Sequence, residues 1–223
     1  MGAAGPVGVV IMARSPSDPR GKTRLLRQVG VGRAEPLRRA LLLDTMDVVR
    51  SLEHTVPWLA FSPSWATAEM AEAGDGAFHL LPQRPGSLGD RLIGAFEHLF
   101  LAGYAGAMII GSDLPTLRVD ALRSAFLTLV AKQDPVVLGP AEDGGYYLVG
   151  LRSPHPELFE EIPWGSDRVL SATLAVAESR QLQTTLLPSW YDVDSPLDLR
   201  RVAADSGEEG KRTKAWVRAQ EPT

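Results

Sequence analysis

The chain has 223 residues, 44% apolar and 22% charged, a balance that excludes disordered, collagen-like and coiled-coil classes. Its formal charge of −4 comes with no basic surplus or stripe, which argues against a nucleic-acid binder. It has no cysteine, which excludes a disulfide framework and a thiolate metal site and fits a reducing compartment.

Residues 7–13 form a short apolar run with no basic segment before it, so it reads as a buried strand and not as a signal peptide. About seven residues fall far short of the roughly 20 needed to cross a bilayer. The expectation is a soluble, cytoplasmic protein. A loop rich in turn formers follows, from Arg14 to Gly21. Leu37, Ala40, Leu41, Asp44, Val48 and Leu52 recur at helical spacing and predict a helix over 34–52. A strand over 56–61, a helix over 64–73, a strand over 77–81 and a helix over 88–101 come next. The apolar strand at 105–111 runs into Ser112-Asp113-Leu114-Pro115. A helix over 119–131 and a strand over 135–139 lead to Pro140-Ala141-Glu142-Asp143-Gly144-Gly145, then a strand over 146–151. The spacing predicts a helix over 166–180 with Ser166 as N-cap, a strand over 182–187 and a short helix over 196–203. From Asp205 the composition shifts to Gly, Glu, Lys and Arg, which predicts a flexible tail over 205–223 behind one domain over 1–204.

Strands thus alternate with helices, and the strands are continuously apolar, as expected where helices cover both sheet faces. The fold class is α/β, with a mostly parallel sheet. In such sheets ligands bind beyond the carboxyl ends of the strands, and three strand ends here carry polar clusters. The first loop ends Gly21-Lys22-Thr23-Arg24. A phosphate-cradling P-loop would need a glycine where Pro16 stands, and Pro19 lacks the N–H such a cradle uses. What survives is electrostatic: Arg14, Arg20, Lys22 and Arg24 can neutralise a diphosphate or triphosphate, or else form a solvated basic loop. Asp113 is placed either to hold Mg²⁺ or Mn²⁺ through oxygen or to cap the turn into the next helix. Asp192 and Asp194 share one side of an extended stretch. Either Asp194 or Ser195 can N-cap the last helix with Pro196 in its first turn, leaving a carboxylate to face a metal. Asp143-Gly144-Gly145 suits close ligand approach or a simple turn. Of Tyr146 and Tyr147, one belongs to the core and one to the cleft. Trp164 reads as an acceptor wall, while Ser166 and Asp167 suit a helix N-terminus. His54, His79, His98 and His155 show no ligand spacing and read as structural.

Taken together, several strings resemble one bacterial family, the radical-SAM/selenodomain-associated, arsenosugar-biosynthesis-type glycosyltransferases. They are Ala13-Arg14-Ser15-Pro16 with Lys22-Thr23-Arg24-Leu25, Leu88-Gly89-Asp90-Arg91-Leu92, Gly111-Ser112-Asp113-Leu114-Pro115, Gly139 through Leu151, Pro163-Trp164-Gly165-Ser166-Asp167, and Asp192-Val193-Asp194-Ser195-Pro196. The resemblance spans roughly residues 7–202 and implies a GT-A fold, the three-layer α/β/α architecture of nucleotide-diphospho-sugar transferases. It extends to 2-phospholactate guanylyltransferase and molybdenum-cofactor nucleotidyltransferases. It implies a nucleotide held by Ala13, Arg14, Ser15, Lys22, Arg24, Gly86, Arg91 and Ser112, and a divalent metal, Mg²⁺ or Mn²⁺, on Asp113 with Asp192 and Asp194. Gly144, Gly145, Tyr146 and Trp164 would meet the acceptor, with Asp113, Asp143 and Asp167 as catalytic carboxylates. Two departures stand out: Arg14 replaces the usual lysine, and Pro19 stands where a glycine is usual, with Gly21 two places later.

The expected reaction is transfer from a nucleotide-diphosphate sugar to a small-molecule acceptor, with Asp143 or Asp167 deprotonating the acceptor hydroxyl. The alternative is a nucleotidyltransferase that releases pyrophosphate, although its usual Gly-Gly-x-x-x-Arg signature is missing. A non-catalytic nucleotide-binding module is a third reading, weakened by the carboxylates Asp113, Asp143 and Asp194. No nucleic-acid polymer and no membrane is expected as a partner.

Overall fold

The computed structural model describes residues 5–20, 25 and 31–220. Among them the strands are β1 (Val7–Arg14), β2 (Thr55–Ser62), β3 (His79–Pro82), β4 (Gly106–Gly111), β5 (Pro135–Pro140), β6 (Tyr146–Leu151) and β7 (Gln183–Leu186). The α-helices are α1 (Ala34–Arg50), α2 (Thr67–Gly74), α3 (Leu88–Leu101), α4 (Val119–Ala131), α5 (Val169–Ser179), α6 (Pro196–Ala204) and α7 (Lys211–Arg218). The strands form one sheet in the order β3-β2-β1-β4-β6-β5-β7. All pairings are parallel except those of β6, which runs antiparallel to β4 and β5.

The continuous apolar runs are explained by two covered faces. Val9 and Ile11 pack with Met46 of α1, Met70 of α2 and Leu122 of α4. Val10, between them, packs on the opposite face with Leu92 and Leu99 of α3. Val7 through Ile11 are therefore all inside, and each fully buried aliphatic contributes roughly 1.5–3 kcal/mol. A third cluster joins Leu37 and Leu41 of α1 to Val193, Leu199 and Val202. Because β6 is antiparallel, the tight β5–β6 connection returns to the same rim as the ends of β1 and β4. That one reversal brings the Asp143 loop beside the Asp113 turn.

Two expectations need correction. The segment from Asp205 is not a loose tail: residues 211–218 form α7, which packs on α1 and α6. The N-cap position is Gly210, which has no side chain to do the capping, so Asp44 of α1 does so, accepting the N–H groups of Arg212 at 3.1 Å and Thr213 at 2.7 Å. Lys214 is buried and donates to Asp205 at 3.1 Å and the Gly207 carbonyl at 2.7 Å. Asp205 also pairs with Arg118 at 2.8 Å. The charges that suggested a solvated tail are the ones that fasten it. Second, α5 starts at Val169, and Ser166 is not its N-cap. The Ser166 hydroxyl donates to the Pro163 carbonyl at 2.8 Å and accepts the Arg168 N–H at 3.3 Å, closing the turn before the helix. No helix among the described residues is long and apolar enough to cross a membrane.

Candidate active site

A cavity of about 650 Å³ opens at the carboxyl rim, lined by the ends of β1 and β4, the β5–β6 loop, the segment before α5, and Asp192 and Asp194. Asp113, Asp143, Asp167, Asp192 and Asp194 all line it, as do Gly145, Tyr146 and Trp164. Five sequence-predicted carboxylates from four separate stretches thus meet in one hollow.

Asp113 sits in the turn after β4. Thr45, buried in α1, holds that turn from below: its hydroxyl lies 3.1 Å from the Ser112 carbonyl and accepts the Leu114 N–H at 3.1 Å. The next helix is not capped by Asp113, since α4 begins at Val119 behind Arg118. The Val193 N–H donates to the Asp113 carbonyl at 3.0 Å. Val193 is fully buried, so its extended neighbours Asp192 and Asp194 both turn to the cavity. Ser195 is the N-cap of α6, in a capping box with Asp198. The Ser112 hydroxyl lies 3.3 Å from the Asp113 carboxylate.

Across the cavity, Asp143 accepts the Gly145 N–H at 2.9 Å, an Asx-type turn. Gly144 has φ +90°, and a Cβ there would lie 2.6 Å from the Asp167 Cα. Only glycine lets these two loops touch. The Leu170 N–H donates to the Gly144 carbonyl at 2.9 Å, joining the β5–β6 loop to the start of α5. Tyr146 stands edge-on to Trp164, ring centroids 6.2 Å apart, and burial pushes its phenol well above the ordinary value. Tyr147 is the core member of the pair: its hydroxyl donates to the Pro188 carbonyl at 3.1 Å, and burial pushes its pKa up to about 12. Glu142 turns to α6 instead, where Arg201 grips it at 2.8 Å through both nitrogens and holds its carboxyl below the usual range. Arg201 also lies 3.7 Å over the Tyr191 ring.

The first loop differs most from expectation. Arg14 and Arg20 are not available as a pair of unopposed cations, because buried Asp18 binds Arg14 at 2.7 Å and Arg20 at 3.0 Å. The hydrogen bond from Arg20 leads the causes that hold the Asp18 carboxyl well below the usual carboxylate range. Ser15 is fully buried; its hydroxyl bonds to Glu69 of α2 and its N–H donates to the Ser62 carbonyl at 2.8 Å. Glu69 also accepts the Ser17 hydroxyl at 2.7 Å, and Arg38 of α1 donates to the Pro16 carbonyl at 2.7 Å. Ala13 is buried, and its carbonyl accepts from Gln83 at 3.1 Å. Lys22 and Arg24 lie outside the described residues. Arg91 does not line the main cavity: it lines a separate hollow of about 290 Å³ with Gln83 and Arg84. Its Nε donates to the Gly86 carbonyl at 3.3 Å.

Among the described residues no three Asp, Glu, His or Cys groups close on a point a metal ion could occupy. The expected Asp113–Asp192–Asp194 triad is therefore not drawn together as a ligand set. The donor chemistry still suits a hard cation, since Mg²⁺ is usually held by one or two carboxylates plus substrate phosphates and water. Thr45, Glu69, Arg38 and Gln83 were not among the predicted site residues. Thr45 left only a faint signal, as a polar position on an otherwise apolar helix face.

The rim cavity, the seven-stranded sheet and its single antiparallel strand define a GT-A-like α/β fold. A family model described as an uncharacterized protein conserved in bacteria (DUF2064) matches residues 45–166, and the chain belongs to that family. Among solved structures, a candidate nucleotide-diphospho-sugar transferase from Desulfovibrio desulfuricans is similar at 27% identity and TM-score 0.88, covering 96% of this chain and 95% of that one. A CMP:2-keto-3-deoxy-manno-octonic acid synthetase complexed with CTP shares the fold at 13% identity and TM-score 0.55, over 89% of this chain and 97% of that one. So does glucosyl-3-phosphoglycerate synthase from Mycobacterium tuberculosis, in complex with Mn²⁺, UDP and glucosyl-3-phosphoglycerate, at 14% identity and TM-score 0.52, over 97% and 80%. No curated protein matched the chain.

Proposed function

We propose that this chain is a divalent-metal-dependent transferase that takes a nucleotide-diphosphate sugar as donor and passes the sugar to a small-molecule hydroxyl. The observation that carries the reading is the meeting of Asp113, Asp143, Asp167, Asp192 and Asp194 around one rim cavity. The 27% identity to a candidate nucleotide-diphospho-sugar transferase, along nearly the whole of both chains, supports it. The ordered strings from Ala13 to Pro196 support placing it in the radical-SAM/selenodomain-associated branch. The absence of cysteine supports a cytoplasmic setting. One domain, α7 included, would carry the chemistry.

Asp113, with Asp192 or Asp194, would hold Mg²⁺ or Mn²⁺. A bound cation supplies charge neutralisation on the leaving diphosphate. The chain's own residues do the rest. Thr45 and the Val193 N–H fix the Asp113 turn, so its carboxylate needs little reorganisation. With Arg14 and Arg20 paired to Asp18, the cationic share of nucleotide binding falls mainly to Lys22 and Arg24. Ala13 and Ser15 act through the shape of the loop, since their polar groups are already engaged. Ser112, Gly86 and Arg91 are retained as nucleotide-side residues, Arg91 from the neighbouring hollow and Gly86 through the hydrogen bond its carbonyl accepts from Arg91. Tyr146 and Trp164, with Gly144 and Gly145, form the acceptor side. Asp143 and Asp167 are the groups able to accept the acceptor's hydroxyl proton.

The test is turnover with Mn²⁺ and a panel of nucleotide-diphosphate sugars, followed by release of nucleoside diphosphate. Release by the native chain, lost on Asp113→Asn, is the expected result. Pyrophosphate release from a nucleotide triphosphate, with sugar nucleotides untouched, would replace this reading by nucleotidyl transfer.

A further inference from the structure

The Asp113 turn runs straight into a buried stretch. Leu114, Pro115, Thr116 and Leu117 are all buried, and the Leu117 N–H donates to the Leu114 carbonyl at 3.1 Å. Part of what packs on this stretch comes from the other end of the chain, residues 205–218. Gly210 lies against it: a Cβ there would stand 3.1 Å from the Pro115 carbonyl oxygen and 3.3 Å from the Thr116 methyl. Arg118, at the end of the stretch, pairs with Asp205 at 2.8 Å and with Glu209. Its guanidinium occupies the place where a side chain at 207 would go, and Gly207 has none.

The same segment reaches the second pair of carboxylates. Trp216 and Val217 of α7 pack on the cluster that holds Tyr191 and Val193, the two residues flanking Asp192. The two regions are also tied to each other. The Thr116 hydroxyl donates to the Tyr191 hydroxyl at 3.1 Å, and the Val193 N–H donates to the Asp113 carbonyl at 3.0 Å. On α1 the neighbours Asp44 and Thr45 divide the work. Asp44 caps α7, and Thr45 holds Ser112 and Leu114. A segment that served only to cover apolar area could do so with apolar side chains alone. This one adds buried Asp44 and buried Lys214, each hydrogen-bonded to partners of fixed direction, and satisfied buried polar contacts hold one arrangement where apolar ones can slide.

We infer that residues 205–218 are a positioning strap. They fix the Asp113 turn and the Asp192–Asp194 stretch together, and so set the affinity of the rim cavity for a divalent cation, although none of them lines that cavity. The inference rests on the proposed reading for the cation, but the fixing of the turn is measured without one. Removing a group that orients a metal ligand from behind lowers metal affinity by about tenfold to a hundredfold, which is the range expected here.

The experiment compares the full chain with three variants. Trp216→Ala removes a side chain that seats α7 on the Tyr191–Val193 cluster, and Arg118→Met removes the pairs with Asp205 and Glu209. Leu129→Ala, in the buried last turn of α4 at the opposite end of that helix from the Asp113 turn, is the control for lost stability alone. Hydrogen exchange without metal or nucleotide is read at the Leu114 and Val193 amides, which report the Thr45 and Asp113 contacts. Both strap variants should speed these two amides by about tenfold or more beyond any change at the amides of β4 and β6, and Leu129→Ala should not single them out. Mn²⁺ alone is then titrated by water-proton relaxation at a temperature where every variant is folded. Its dissociation constant should rise by about tenfold in the strap variants and stay within about twofold in the control. Should one strap variant fail to fold, the other carries the comparison. Exchange at Leu114 and Val193 that follows overall stability equally in strap and control variants overturns the inference. So does an unchanged Mn²⁺ affinity in the strap variants of a chain that binds Mn²⁺. A native chain that binds no Mn²⁺ sinks the metal-dependent reading, and the exchange result alone then decides whether the strap fixes the turn.

Discussion

The joint between the β5–β6 loop and the start of α5 makes a quantitative test of how the cavity is built. In Gly144→Ala the new Cβ would lie 2.6 Å from the Asp167 Cα and 2.7 Å from its carbonyl carbon. Both atoms belong to backbone and cannot rotate away. The position also has φ +90°, a region that costs a non-glycine residue about 1–3 kcal/mol. Relieving the overlap means moving a loop, at a further cost of about 1–3 kcal/mol. Gly165 is the matched control: its φ is +80°, yet nothing lies within 4 Å of its would-be Cβ. Gly165→Ala therefore carries the conformational cost alone. At about 2–4 °C per kcal/mol for a chain of this size, Gly144→Ala should melt roughly 2–12 °C below Gly165→Ala. Thermal melts of the two variants and the parent, followed by circular dichroism, measure the difference. Equal melting temperatures, or Gly165→Ala the lower, would show that the Gly144–Asp167 contact does not hold the two loops together.

Three further outcomes follow from named contacts. Thr45→Val keeps the volume but leaves the buried Leu114 N–H without its acceptor, so it should lose about 1–3 kcal/mol in a denaturant melt, while Thr45→Ser should lose little; equal stability of the two would refute the tie. Asp44→Ala removes the acceptor of the Arg212 and Thr213 N–H groups and should cost about 1–2 kcal/mol. Hydrogen exchange at those amides should accelerate at least tenfold, and unchanged protection counts against the cap. The Asp18 carboxyl is depressed in the folded state, so its stabilising contribution is fully present above the unfolded value of about 3.9 and drains away as pH falls through the folded value. The stability gap between the native chain and Asp18→Asn should therefore shrink below about pH 4; a gap constant from pH 7 to pH 3 would contradict the Arg14–Asp18–Arg20 cluster.

What the sequence made legible was whatever is written locally. The runs Val7–Arg14 and Gly106–Gly111 are strands because both of their faces are covered. Asp113, Asp143 and the Asp192/Asp194 pair were traceable because carboxylates at strand ends of an α/β sheet have one rim to meet on. Contacts that join distant stretches left no such trace. Asp44 reads as an interruption of an apolar helix face, and only the packed α7, 168 residues away in the case of Arg212, shows it as a cap. Arg14 and Arg20 read as ligand cations in the sequence, and only the fold, which buries Asp18 between them, shows them paired. Likewise Glu69 and Arg38 are ordinary surface-helix residues in sequence, and they grip the first loop only because α1 and α2 pack beside it.

The most direct measurement of the transferase reading is titration calorimetry of the full chain with a panel of nucleoside diphosphates, with and without Mn²⁺. At least one diphosphate should bind, should need the metal, and should weaken about tenfold or more in Asp113→Asn. Binding that ignores both Mn²⁺ and the Asp113 substitution, or no binding across the panel, would contradict the central claim.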